Sequence, residues 1–164
     1  MFAKVYKPSF LNILMPKIMP NWKEIKFKDN FIDHYKKLTD WKEFKRHSLS
    51  FLRRSIRTNT LKISVEDLKK RLKEWKLTPI PWCKEGFWIK HKTKDRRDIG
   101  NLTEHALGYF YVQESVSMIP PIVLDPKPEE TILDIAASPG SKASQIAQYM
   151  KNKGVLVAND YKHE

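Results

Sequence analysis

Residues 131–160 read TILDIAASPGSKASQIAQYMKNKGVLVAND, and few folds accept that order of textures. TILDIAA is the apolar, β-prone run of a buried strand, and the SPG triplet at 138–140 breaks it. Ala143, Ile146, Ala147 and Met150 then recur at i, i+3, i+4 and i+7, the spacing of an amphipathic helix. Asn152-Lys-Gly154 is a helix stop, and VLVAND at 155–160 is a second strand. Strand, tight loop, helix, strand is a βαβ unit, whose strands are expected to lie parallel with a right-handed crossover.

In an open α/β sheet, ligands bind beyond the carboxyl ends of the strands. That places the loop after the first strand and the acid closing the second in one candidate site. Gly140 lets the loop backbone approach a ligand, and the small residues Ala136, Ala137, Ser138 and Ser141 keep its wall low. Asp160 lies 20 positions after Gly140, the offset expected of an acid that binds ribose hydroxyls. The loop has one glycine where a dinucleotide fingerprint needs three, and Gly140-Ser-Lys142-Ala does not complete a phosphate loop. A ribose acid without phosphate glycines favours a nucleoside cofactor lacking phosphates, and S-adenosylmethionine fits. A plain strand-to-helix turn remains the competing reading of SPGSK.

The front of the chain is different in kind. The formal charge is +12, but residues 1–105 carry a net +14 and residues 106–164 a net −2. A basic front joined to a mildly acidic back implies two regions, the first suited to a polyanion. Phe31, Tyr35 and Leu38 share one helix face, and Thr39 or Asp40 with Glu43 reads as the cap of a second helix. SIRTN (55–59) is extended. Ser64-Val-Glu-Asp67 resembles a capping box for a helix with the apolar stripe Val65, Leu68, Leu72 and Trp75. Extended pieces follow around 78–82 and 87–90, then an exposed loop at 90–98. The predicted organisation is an irregular arm at 1–28, a basic α+β region at 29–105, and the start of an α/β domain at 106–164.

Phosphate contacts are expected from Lys62, Lys69, Lys70, Arg71, Lys73, Lys90, Lys92, Lys94, Arg96 and Arg97. Trp82, Phe87 and Trp88 suit either base stacking or core packing, with packing favoured in a small domain. Nothing in the sequence pairs His105 with a carboxylate for acid-base work, and a structural hydrogen-bonding role is the reading favoured. The lone Cys83 excludes an internal disulfide and a cysteine zinc cluster, and a cytoplasmic setting follows as the default. No apolar run approaches the ~20 residues that span a bilayer. Neither a membrane nor a metal is expected as a partner.

LDIAASPGSK and NKGVLVAND, preceded by GYFYVQESVSMIPPIVLDPKP, resemble the cofactor region of the NSUN (Nol/Nop/Sun) RNA 5-methylcytosine methyltransferases. SIRTNTLK (55–62) is similar to the R-x-N-T-L-K signature of that family's N-terminal RNA-binding domain. The resemblance covers residues 30–164 with motifs in the family's order. It implies a small α+β RNA-binding domain followed by the opening βαβ of a Rossmann-like methyltransferase domain, an α/β fold. It also implies that Ala136, Ala137, Ser138, Pro139, Gly140, Ser141 and Lys142 line the S-adenosylmethionine site and that Asp160 binds its ribose. The commonest family loop is CAAPGGK, so Ala136, Ser138 and Ser141 are departures; one branch of the family carries A-A-[AS]-P-G-S-K.

Within the signature, Arg57 and Asn59 become candidates for RNA contact. Asn59 could equally brace a turn through its side chain. The activity implied is methylation of cytosine carbon 5 in transfer or ribosomal RNA. Such chemistry uses cysteine addition to carbon 6, and the family places its two cysteines in loops downstream of the ribose acid. Neither position falls within these residues, and Cys83 lies far from the loop, so this chain alone is expected to be inactive. The alternatives are an RNA-binding module with a vestigial methyltransferase half, and a methyltransferase acting on protein or a small molecule.

Overall fold

The structure is a computed structural model that describes residues 17–94, 96 and 98–161. It divides after Arg53 into two units. In the first, α1 (Asp29–Lys36) and α2 (Trp41–Ser48) follow one another through a short turn. Asp40 caps α2, its Oδ1 accepting from the Glu43 N–H at 2.8 Å; such caps contribute about 1 kcal/mol. The hairpin is held by aromatic rings: Tyr35 stacks on Phe44 at 4.2 Å, and Phe31 meets Tyr35 at 4.6 Å. Leu38, expected on the same face as Phe31 and Tyr35, lies beyond the end of α1 and is 67% exposed. The chain turns toward α2 before a third helical turn is complete.

The second unit is built on a four-stranded antiparallel sheet in the order β2-β3-β1-β4. Its strands are β1 (Ser55–Thr58), β2 (Trp75–Ile80), β3 (Cys83–His91) and β4 (Phe110–Val112). Side chains alternate across a strand, so β1 presents Ile56 and Thr58 to one face and Ser55 and Arg57 to the other. Both faces are covered, and all four residues are buried.

On the first face lies the main apolar core: Ile56, Trp75, Phe87, Ile89 and Phe110 from the sheet, with Leu68, Leu72 and Ile99. Helix α3 (Val65–Arg71) supplies Leu68, and Ser64 caps it, its Oγ accepting from the Asp67 N–H at 3.0 Å. The expected stripe therefore packs as a unit, although α3 ends at Arg71. Leu72 is its C-cap and Trp75 already opens β2. Burying a large apolar side chain stabilises by about 1.5–3 kcal/mol, which holds Leu72 and Trp75 in the core whatever their backbone state. Phe87 and Trp88 are core residues, at 2% and 5% exposure.

After a short helix α4 (Thr103–Ala106), β4 pairs with β1 through Ile56↔Val112, Arg57↔Tyr111 and Thr58↔Phe110. The YFYVQ strand thus completes the front sheet, although the sequence division sets it behind residue 105. A 3-10 turn (Val116–Met118) and α5 (Ile119–Leu124) lead to the βαβ unit. There β5 (Thr131–Asp134) and β6 (Val155–Ala158) pair in parallel, joined by α6 (Ser141–Tyr149). Ala143, Ile146 and Met150 are buried along the predicted stripe. Asn152 turns left-handed at φ 54° to end the helix, its N–H reaching the Ala147 carbonyl at 3.1 Å.

Candidate cofactor loop and nucleic-acid interface

Loop 136–142 leaves the carboxyl end of β5 beside the end of β6. Its first half is pinned from below. The Ala136 N–H donates to Asp134 Oδ1 at 3.2 Å, and the Ala137 N–H donates to the Asn159 carbonyl at 2.9 Å. Asp160 approaches from β6, its Oδ2 accepting from the Ser138 N–H at 2.8 Å. Ser138–Pro139 is a cis peptide. Gly140 caps α6 at φ 96°, a conformation that a side chain disfavours. A Cβ there would meet nothing within 4 Å, so the demand for glycine is conformational and the space above the loop is open.

Six of the seven loop residues and the ribose-acid candidate are therefore gathered within one strand-end turn, with Lys142 exposed on the first turn of α6. One further polar atom belongs with them. Asp134 Oδ2 is buried without a hydrogen-bond partner among the described residues. Buried polar atoms are normally satisfied, so this one fits a loop that receives a polar ligand.

The second face of the front sheet bears directly on this loop. Arg57 is 2% exposed and points at α6. Its Nε donates to Gln113 Oε1 at 2.9 Å, its Nη2 to Ser144 Oγ at 2.8 Å, and its Nη1 to Gln148 Oε1. Gln113 Nε2 donates in turn to Gln145 Oε1 and to the Ser117 carbonyl, each at 3.1 Å. Burial lowers the Arg57 pKa, opposed by the nearby Cys83, Tyr149, Glu85 and Tyr111 groups. A guanidinium enclosed in this way does not reach a phosphate. The expectation of RNA contact at Arg57 is corrected accordingly: the charge is spent inside the fold.

Asn59 follows the turn-bracing reading. Its Oδ1 accepts from the Leu61 N–H at 3.2 Å and its Nδ2 donates to the Gly108 carbonyl at 3.0 Å. Lys62 is exposed, with its Nζ on the Leu107 carbonyl at 3.1 Å. Sequence reasoning missed Tyr111, Ser144, Gln145 and Gln148. The spacing of Gln145 and Gln148, one helical turn apart beside the apolar stripe, was the available signal.

Most of the remaining candidate cations among the described residues are exposed. Lys69, Lys70, Arg71 and Lys73 are exposed on and just after α3; Lys70 pairs with Asp67 at 2.8 Å and Arg71 lies 5.2 Å from the Tyr109 ring. Lys90, Lys92 and Lys94 are exposed at the end of β3. The Lys92 N–H donates to the Glu74 carbonyl at 3.0 Å, which sets this run beside Lys73 at the open edge of the sheet. Arg96 forks onto Asp98 at 3.0 and 2.7 Å. Arg97 lies outside the described residues. Trp82 donates its indole N–H to the Ser115 carbonyl at 2.9 Å and packs edge-on against Trp88, a structural position.

Cys83 is 2% exposed, and burial, reinforced by the Glu85 charge, pushes its thiol up to about 11. Among the described residues, no three His, Cys, Asp or Glu side chains are grouped to hold a metal, and no helix is long and apolar enough to cross a membrane.

Residues 27–115 match the family model of the N-terminal domain of 16S rRNA methyltransferase RsmF, and residues 121–164 match that of 16S rRNA methyltransferase RsmB/F. A tRNA (cytosine(49)-C(5))-methyltransferase of Pyrococcus abyssi is 49% identical over 141 residues, covering 85% of this chain and 44% of that protein. Ribosomal RNA small subunit methyltransferase F of Aliivibrio salmonicida is 54% identical over 114 residues, 67% of this chain and 24% of that protein. Among solved structures, a methyltransferase homolog from Pyrococcus horikoshii superposes with a TM-score of 0.61 at 38% identity, covering 80% of this chain and 48% of its own. The chain thus spans less than half the length of these relatives. Its two family matches lie in order along the sequence, and the chain belongs to the RsmB/F (NSUN) family of RNA methyltransferases, whose N-terminal part it matches.

Proposed function

We propose that this chain contributes RNA binding and part of an S-adenosylmethionine pocket to the methylation of cytosine carbon 5 in transfer or ribosomal RNA. In this reading residues 29–105 grip RNA after an arm at 1–28, and residues 106–164 open the methyltransferase domain, with β4 as the strand that joins the two. The observation that carries it is the convergence of loop 136–142 and Asp160 at the carboxyl ends of two parallel strands, the Ser138 N–H held on Asp160 Oδ2 at 2.8 Å.

The chain's own residues divide the work. The Asp160 carboxylate accepts from ribose hydroxyls. Small side chains at Ala136, Ala137, Ser138 and Ser141 admit an adenosine close to the backbone, and Pro139 with Gly140 turns that backbone into α6. Asp134 Oδ2 offers a buried acceptor at the base of the loop. The cofactor, when bound, supplies an electrophilic methyl group on a sulfonium. Lys62, Lys69, Lys70, Arg71, Lys73, Lys90, Lys92, Lys94, Arg96 and Arg97 hold the RNA backbone without reading its sequence. Cys83 is not the attacking thiol: it is buried and protonated at neutral pH. In this reading the protein works in the cytoplasm.

Two binding measurements test the reading. The chain is expected to bind unstructured RNA with an affinity that falls steeply between low and physiological salt. It is also expected to bind S-adenosylhomocysteine, more weakly after Asp160→Ala. Equal affinity for the nucleoside in parent and variant would remove Asp160 from the site. Salt-dependent RNA binding with no nucleoside binding at all would favour an RNA-binding module whose methyltransferase half is vestigial.

A further inference from the structure

Loop 136–142 is anchored unequally. Ala136 gives its backbone N–H to Asp134 on β5, and Ala137 and Ser138 give theirs to Asn159 and Asp160 just beyond β6. Pro139 has no N–H to give, and the Gly140 N–H donates back to the Ala137 carbonyl within the loop, at 2.6 Å. What holds the second half comes from the front sheet instead. Tyr111, on β4, donates its phenol O–H to the Pro139 carbonyl at 3.1 Å. Arg57, its partner across the β1–β4 ladder, holds Ser144 Oγ, and that hydroxyl donates to the Ser141 carbonyl at 3.2 Å. The Arg57 guanidinium carbon lies 6.0 Å from the Tyr111 ring centroid, so the two tethers form one arrangement.

The signature SIRTNTLK gains a physical meaning here. Arg57 reaches Ser144 and Gln148, Asn59 reaches Gly108, and Lys62 reaches Leu107. The Arg57 and Asn59 side chains are spent on the segment entering the methyltransferase half and on α6.

We propose that Tyr111 and Arg57 are positioning residues for the cofactor loop: the sheet of the RNA-binding region sets the geometry of residues 139–144. This rests on the loop being the cofactor site. An untethered loop must be ordered at the moment of binding, whereas a tethered one is already shaped. Removing one hydrogen bond of ordinary strength corresponds to a loss of about three- to tenfold in affinity.

Tyr111→Phe deletes only the phenol oxygen, and the bond it breaks is exposed, so the fold stays intact. Hydrogen exchange on the 164-residue chain reads the loop directly. The protected amides of Gly140 and Ser144 are expected to exchange severalfold faster in the variant. Those of the β1–β3 ladder, and the melting temperature, should not move. Ser144→Ala should raise exchange at the same amides. Affinity for S-adenosylhomocysteine should fall about three- to tenfold in Tyr111→Phe. Unchanged loop exchange overturns the proposal, as does exchange that rises equally throughout the sheet. Unchanged affinity in a chain that binds the nucleoside overturns it too. A parent chain that fails to bind the nucleoside refutes the cofactor reading, while the exchange experiment still decides whether the sheet orders the loop.

Discussion

Arg57 on β1 and Gln148 on α6 are 91 positions apart in sequence, and they meet in the interior through a guanidinium-to-amide hydrogen bond. Through that bond and its companions to Gln113 and Ser144, the helix that follows loop 136–142 is packed on a sheet made of earlier residues. The relation fixes what Arg57 does and predicts how its variants behave.

Arg57→Met leaves the Gln113 and Gln148 side-chain oxygens buried without their donor. Each such orphan costs about 1–3 kcal/mol, offset in part because no charge then has to be buried. A net loss of about 2–4 kcal/mol is expected in urea unfolding. Arg57→Lys keeps the charge but cannot fork to three partners, and should fall between. The salt dependence of RNA binding should be the same in folded Arg57→Met and in the parent. A phosphate contact would instead take about one unit from the slope, and a reduced slope would restore Arg57 to the RNA surface.

Gly86 stands opposite Arg57 on β3. A Cβ at this position would come within 2.8 Å of Met118 Sδ and 3.0 Å of Cys83 Cβ. Gly86→Ala is therefore expected to cost about 1–3 kcal/mol through overpacking. Met118 is fully buried, so Met118→Ala should also destabilise, by about 2–5 kcal/mol. Together the two should cost clearly less than their sum, because the truncated Met118 makes room for the new methyl. Strict additivity in the double-mutant cycle would show that the two side chains do not share this space.

The same neighbourhood shows why some of the structure was legible in sequence and some was not. The βαβ unit could be read because each piece is locally determined: an apolar run, a glycine turn, and a stripe at Ala143, Ile146 and Met150. Capping at Asp40 and Ser64 was legible for the same reason. The end of α3 was not, since Leu72 and Trp75 keep helical spacing while packing into the core from a cap and a strand. Arg57 was a candidate for RNA contact because it sits inside the family signature, which does not say which way its side chain faces; the structure buries it. Only the pairing of β1 between β3 and β4, with α6 across its second face, shows that the position is interior. That information is non-local, and no window around residue 57 contains it.

Asp98 offers a pH-dependent test of the basic loop. The hydrogen bonds from Arg96 hold its carboxyl at about 2, below the ordinary 3.8. A carboxyl lowered by folding contributes stability above its ordinary value, and that contribution is lost as pH falls from about 4 through about 2. Following the Asp98 carboxyl by NMR should show titration near the lower limit in the parent. Arg96→Ala should return it toward ~3.9. An unchanged midpoint would mean that the fork on Asp98 does not persist in solution. With Arg96 committed to Asp98, its replacement should also weaken RNA binding less than replacement of Lys92 or Lys94.

The thiol of Cys83 is the sharpest discriminator between a packed residue and a reactive one. Its Sγ lies 3.6 Å from Glu85 Oε2, and burial with that charge raises it from 9.0 to about 11. An acid raised in this way adds stability that is complete below the ordinary value and lost as pH climbs toward the folded one. At pH 8 the native thiolate fraction should be about a hundredfold below that of the unfolded chain, from ionisation alone. Alkylation should therefore be at least that much slower in native protein than in urea, since the side chain is also 2% exposed. Comparable rates in the two states would place Cys83 at an accessible, activated site and reopen it as a nucleophile. Native protection that disappears on unfolding keeps it in the packing beneath Gly86.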